Sequence, residues 1–327
     1  MSEFNKYGLA RRIPDPIARQ IRQECGFGCV ICGGAIYQYE HIDPTFEDAR
    51  EHDPSRIALL CGTCHDKVTR RIWSKDKVKD ARIAPFCRKS GFTSELFDYG
   101  SEEITVNLGN AVFTEPRAVL TVFGRKILEI KPPEAPGAPI RICGSFIGKT
   151  DKSFLDIFDN CWTASSGSWD VEATGQTITI RRGARDIALL LRSDPRKSLS
   201  IERLDMYYQG VRVFVNDLGI SFGRSGDTLF GVSGSIEKAR SCLEVVEGQV
   251  LSRRSSVIEI PGIDPRMLTV ENCTFKNARV SIPAGANFRN NTVRNGGEPL
   301  IVFGDGLSLL VGRGASEIKA DTIEISP

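Results

Sequence analysis

The chain has 327 residues, 41% hydrophobic and 26% charged, which is enough apolar surface for two or three folded domains and excludes a disordered or fibrous protein. A formal charge of +2 excludes a uniformly charged surface, so any polyanion contact has to be a local patch. No apolar run reaches the roughly 18 residues of a membrane span, and "MSEFNKYGLARRIPDP" lacks the apolar core of a secretory signal; a cytoplasmic location without a membrane partner is expected.

In chain order, "PDPIARQIRQE" (14–24) predicts a helix, with proline and an acid at its start, apolar Ile17 and Ile21 four apart, and "CGFG" to stop it. "CVICGG" reads as a knuckle-like turn and "AIYQYEHI" as a strand. Residues 43–56 read as a polar loop with at most one helical turn, "IALL" as a short strand, and "CGTCHDKVTRRIWSK" as a turn entering a helix, with Trp73 as a core anchor beneath it. Beyond residue 92 come short segments rich in Val, Ile and Thr, among them "EITVNL", "AVLTVFG", "IRICGSF", "VRVFVND", "SVIEIPG" and "LIVFGD". Gly, Pro, Asn or Asp separates them, the pattern of a mainly antiparallel β region. Only "SGSIEKARSCLEVVEGQ" (233–249) reads as helical there, and Asn beside short strands after 268 suggests a β-helix-like C-terminal part. The fold class expected is α+β, divided as 1–90, 92–245 and 246–327, the β region being sandwich-like.

The chemistry concentrates before residue 90. Of ten cysteines, Cys29, Cys32, Cys61 and Cys64 form two Cys-x-x-Cys pairs, the spacing with which two tight knuckles present four thiolates to one structural Zn²⁺. Cys25, four residues before Cys29, could also offer a thiolate; the others read as small buried hydrophobes. All three histidines, His41, His52 and His65, fall in this window. Residues 67–89 carry nine lysines and arginines against two aspartates, a face suited to a polyanion if it is not merely solvated.

The order Cys29-x2-Cys32, Glu40-His41, Cys61-x2-Cys64-His65 resembles the HNH endonucleases, in the zinc-stapled branch of the ββα-metal nucleases, over residues 20–75. The resemblance implies that His41 is the general base, that Glu40 is a ligand of a catalytic Mg²⁺ or Mn²⁺, and that His65 is a second ligand or a phosphate contact. It places Arg70 and Arg71 on a helix lining the DNA groove, with Lys67 either there or in the core. The family's usual middle Asn is Arg56 here, and no Asn occurs from 41 to 65. Three readings stay open: Arg56 contacts phosphate, His52 or Asp53 orients the base or binds the ion, or catalysis is weakened. His52 by itself, in a polar loop, reads as a surface residue, and His65 could alternatively replace a cysteine at zinc.

The implied function is DNA hydrolysis, RNA not being excluded, with the β-rich region for target recognition or regulation in a restriction or anti-phage setting. The alternatives are a zinc-stapled nucleic-acid-binding module without cleavage, or an assembly protein whose β region forms a homo-oligomer. Trp162, Trp169, Tyr207 and Tyr208 read as core packing or as base-stacking platforms.

Overall fold

A computed structural model describes residues 3–224, 230–248, 255–257, 264, 267–276, 279–283, 286–294, 297–304, 307–315 and 317–324. The chain divides into two compact units, Met1–Leu96 with Cys161–Ile187, and Phe97–Asn160 with Ala188–Pro327. The first unit therefore takes a second segment, 161–187, from far along the chain.

In the first unit, helix α1 (Asp15–Cys25) starts at proline and ends at Gly26, whose φ of 75° gives the left-handed C-cap. Its buried stripe of Ala18, Ile21 and Cys25 packs into one core with strand β2 (Ile57–Leu60), whose four residues are all buried. Strand β1 (Gln38–His41) pairs antiparallel with β2, setting Glu40 opposite Ala58 and His41 opposite Ile57. Helix α2 (Gly62–Thr69) follows β2 directly. The sequence predicts one helix through this stretch; the structure has two. Arg71 takes a φ of 60°, which stops α2, and the Ser74 hydroxyl accepts from Lys77 N–H to cap a separate helix α3 (Lys75–Ile83). Arg82 on α3 donates to the Ile57 and Pro54 carbonyls and pairs with Glu24, tying α3 to α1 and to the start of β2.

Helix α4 (Phe86–Ser90) leads into strand β3 (Phe92–Leu96), which pairs antiparallel with 161–165. The second segment is also held to α1 by a buried, bidentate ion pair. Arg22 Nε donates to Asp170 Oδ1 at 2.9 Å and Nη2 to Oδ2 at 2.8 Å, with both residues excluded from water.

The second unit is built from two sheets. In one, 118–122 lies between 125–131, antiparallel, and 241–247, parallel. In the other, 198–208, 211–216, 219–224 and 230–237 form an antiparallel run that continues to 317–324. Phe113, Phe146, Phe222 and Phe288 are fully buried in this unit's core.

The helix expected at 233–249 is absent. Phe230–Glu237 and Ser241–Glu247 are strands, joined by a turn in which Lys238 has a φ of 54°. Ile236, Ala239, Cys242 and Leu243 are spaced as on a helix face, but Leu243 and Val245 alternate inward on a strand whose two edges are paired by 118–122 and 307–313. Those ladders outweigh helix propensity. In the C-terminal part, 255–257, 279–283 and 300–304 stack in parallel in one sheet, and 287–294 pairs in parallel with 269–271 and 274–276 in the other. The chain crosses from sheet to sheet as a coil would, and buried Asn291 serves the turn. Its amide donates to the Val270 carbonyl and its Oδ1 accepts from Cys273 N–H, each at 2.8 Å. The rest of "SVIEIPG" beyond Val257 lies outside the described residues. Among the described residues no helix is long and apolar enough to cross a membrane.

Candidate active site and metal cluster

The two Cys-x-x-Cys turns close on each other. The first lies ahead of β1, and the second runs from the end of β2 into α2, so that Cys61 caps the helix through Sγ, which accepts from Cys64 N–H at 3.5 Å. The first knuckle is tight because Cys29 N–H donates to the Gly34 carbonyl and Gly33 N–H to the Cys29 carbonyl, each at 2.9 Å. Gly33 has a φ of 84°, and a Cβ there would sit 2.6 Å from the Phe86 ring, so only glycine fits.

The four sulfurs lie within 4.8 Å of one another, with Cys32 Sγ 3.5 Å from Cys61 Sγ and 3.8 Å from Cys64 Sγ. Thiolates at about 2.3 Å from a tetrahedral Zn²⁺ are about 3.8 Å apart, so the donor set fits a metal such as zinc. Burial raises the Cys32 thiol to about 11 and pushes Cys64 further up, and a cation is what would stabilise ionised sulfur there. Cys25 is buried outside the cluster, its thiol also raised by burial to about 11. His65 does not replace a cysteine, since the cluster is complete without it.

Beside the cluster, Glu40, His41 and His65 line one cavity of about 580 Å³. Antiparallel pairing with β2 fixes the end of β1, and α2 carries His65 from the residue after Cys64, so the sulfur cluster sets the distance between the two elements. Glu40 Oε2 lies 3.1 Å from His65 Nε2. Its other oxygen pairs with the Lys75 ammonium, which also donates to the His41 carbonyl at 2.9 Å. Lys75, at the first turn of α3, is a site residue the sequence reading passed over, because it sits inside a basic run that looks like a solvated face. Arg11 and Arg12, from the segment before α1, line the same cavity; Arg11 also stacks 4.4 Å over the Phe46 ring. Nothing in the local pattern of "LARRIP" marks them.

His41 departs from an ordinary imidazole. Burial, then the neighbouring His52, lower its pKa to about 4, against the opposing pull of Glu40, so the ring is neutral at pH 7. His52 is not a surface residue: it is 7% exposed, with Nδ1 3.2 Å from His41 Nε2 and Nε2 2.9 Å from the Ala10 carbonyl.

The remaining candidates lie outside the cavity lining. Arg56 donates to the Asp43 carbonyl at 3.2 Å and pairs with Asp53 at 3.3 Å, so both of those side chains are engaged with each other on the surface. Lys67 and Lys77 flank the Trp73 ring at 4.5 and 4.7 Å, and the ring itself packs partly against the core. Arg70 pairs with Asp66 at 2.9 Å, and Arg71 is exposed at the turn between α2 and α3. Trp162 is buried, Arg19 stacks on Trp169, and Tyr207 and Tyr208 are half-buried beside Lys149, Arg212 and Arg125. Comparison with protein-family models, with curated proteins and with solved structures finds no match.

Proposed function

We propose that this chain is a metal-dependent endonuclease of the HNH type, hydrolysing phosphodiester bonds of DNA, with the β-rich unit selecting or regulating the target. One observation carries the reading. Glu40 and His65 present an oxygen and a nitrogen 3.1 Å apart, in one cavity with the neutral, buried imidazole of His41. Two donor atoms each about 2.1 Å from one small divalent ion are about 3 Å apart, so Glu40 and His65 would be the residues that hold Mg²⁺ or Mn²⁺. Bound there, such an ion would supply Lewis-acid stabilisation of charge on the phosphate and the leaving oxygen.

The chain's own residues do the rest. A water gives a proton to the His41 imidazole while its oxygen forms the new bond to phosphorus. The bond to the leaving oxygen breaks, and that oxygen keeps the electron pair and takes a proton from solvent. Lys75, Arg11 and Arg12 attract and hold the phosphates, and Lys67, Arg70 and Arg71 provide further cations along α2 and the turn after it.

A second reading rests on Lys75. Its ammonium already pairs with the other Glu40 oxygen, beside the one that faces His65, and balances the carboxylate's charge without a metal, which favours a module that grips nucleic acid without cutting it. Supercoiled plasmid incubated with purified chain and Mg²⁺ or Mn²⁺, beside His41→Ala, separates the two. Nicking or linearisation lost in His41→Ala supports the enzyme, and salt-sensitive binding without cleavage at either ion overturns it.

A further inference from the structure

Behind the cavity lies a chain of three groups, His41, His52 and the Ala10 carbonyl. A carbonyl oxygen only accepts, so the 2.9 Å contact with the Ala10 carbonyl requires the proton of His52 on Nε2. In a neutral ring, Nδ1 is then the acceptor. Its partner at 3.2 Å, His41 Nε2, must be the donor. The relay runs one way and leaves Nδ1 of His41 as the nitrogen with a free lone pair. His41 lines the cavity, whereas His52 is outside its lining.

The Ala10 carbonyl is itself held in place. Asn5 donates through its amide to the Phe46 and Ala49 carbonyls, each at 2.7 Å, and accepts from Tyr7 and Leu9 N–H at 2.9 Å. Lys6 pairs with Asp48 at 2.6 Å, and Phe4 bridges to Ala10. The segment before α1 is thus pinned to the loop that carries His52, and no other element is needed to define the relay.

We infer that His52 is the positioning residue of this site: it fixes His41 as the Nε2–H tautomer and so assigns Nδ1 to accept the proton from water. This rests on the endonuclease reading for the role of the proton, but not for the tautomer. A partner that sets the tautomer and orientation of a metal-bound imidazole is worth about 10–100-fold in activity, and the same order is expected where the imidazole is a base. Asn at position 52 would place its Oδ1 where Nδ1 now accepts, preserving the bond to His41, whereas Ala would remove it.

The test uses the full chain with histidine labelled with ¹⁵N in the ring, so that the spectrum contains three imidazoles. At neutral pH a scalar coupling across the hydrogen bond between His41 Nε2 and His52 Nδ1 is expected, with His41 Nδ1 at the shift of an unprotonated nitrogen. On plasmid DNA with Mg²⁺ or Mn²⁺, His52→Ala is expected to lower kcat about 10–100-fold at unchanged KM, and His52→Asn to recover most of it. A protonated Nδ1 on His41, a doubly protonated His52, or no coupling overturns the tautomer assignment. Cleavage by His52→Ala as fast as by the wild type overturns the positioning role. If the wild type cuts nothing with either ion, the endonuclease reading fails and the proton-accepting role with it, while the coupling in the same sample still decides the relay.

Discussion

Replacing Cys64 with serine should cost the first unit a large part of its stability. Structural Zn²⁺ binds its ligands with about 10–16 kcal/mol at neutral pH, so one ligand in four is worth about 2.5–4 kcal/mol on that scale. That equals deleting a whole buried leucine, and it falls on a unit whose total stability is expected at about 5–15 kcal/mol. Position matters as well as number. Cys64 is buried and lies on α2, whereas Cys32 is exposed, so Cys64→Ser should cost more than Cys32→Ser. The same residue sets where His65 stands, so the loss should reach the cavity. Metal content measured on natively purified chain should be one zinc per chain, released together with four thiols by a mercurial reagent. Urea unfolding can be followed by Trp73, which packs against this core. The midpoint should fall sharply for Cys64→Ser and for the wild type stripped of metal. A chain that purifies without zinc, or whose midpoint ignores both treatments, would refute the assignment of these four sulfurs to a metal.

Three further outcomes follow from the same unit. Asp170→Asn should destabilise it by about 3–5 kcal/mol, because Arg22 keeps its charge in a dry site, whereas Arg22→Met with Asp170→Leu should come within about 1–2 kcal/mol of the wild type; a urea series on the three variants decides. The His41 ring has a pKa of about 4 when folded against an ordinary 6.5. The unfolded chain therefore binds a proton in this range that the folded chain does not, so stability should be full above about pH 6.5 and fall by at most about 3 kcal/mol towards pH 4. His41→Phe should flatten that slope, and an identical slope in the variant would sink the attribution. Gly33→Ala should destabilise the unit by about 1–3 kcal/mol, read as a lower urea midpoint at unchanged m-value, since its φ of 84° and the Phe86 ring both oppose a Cβ; a neutral outcome would mean the knuckle adjusts freely.

How legible this was depended on the range of each interaction. The two Cys-x-x-Cys pairs could be read because four sulfurs in two tight turns carry their geometry in their spacing. Helix α1 carried its own start and stop, in Pro16 and Gly26. The short strands after residue 92 were visible as β-branched runs, although those at 230–237 and 241–247 were not, because their register is imposed by strands up to about 120 residues away. Glu40, His41 and His65, which line one cavity, could be singled out by type and order, with no test of their roles in that. Lys75 was hidden in a basic run, and burial of His52 depends on Asn5 and Ala10, more than forty residues earlier. Arg22 with Asp170 was beyond reach for the same reason, being a contact across 148 positions.

Glu40 is where the two functional readings part in physical terms. Its carboxylate has two oxygens and both are engaged, one by His65 and one by Lys75. A divalent ion attracts that carboxylate with twice the Coulomb energy of an ammonium at equal distance. Mg²⁺, however, gives up its water reluctantly, and Lys75 is tethered and keeps the His41 carbonyl at 2.9 Å as a second acceptor. A phosphate in the cavity changes both sides of this balance, because it offers Lys75 an anion in place of Glu40 and offers the divalent ion an additional oxygen. Under the endonuclease reading, metal and nucleic acid therefore enter this site cooperatively, and a weak ion affinity of the free chain is what that reading requires. Under the binding reading Lys75 stays on Glu40 when nucleic acid arrives, and the affinity for DNA is indifferent to Mg²⁺ beyond its screening of charge.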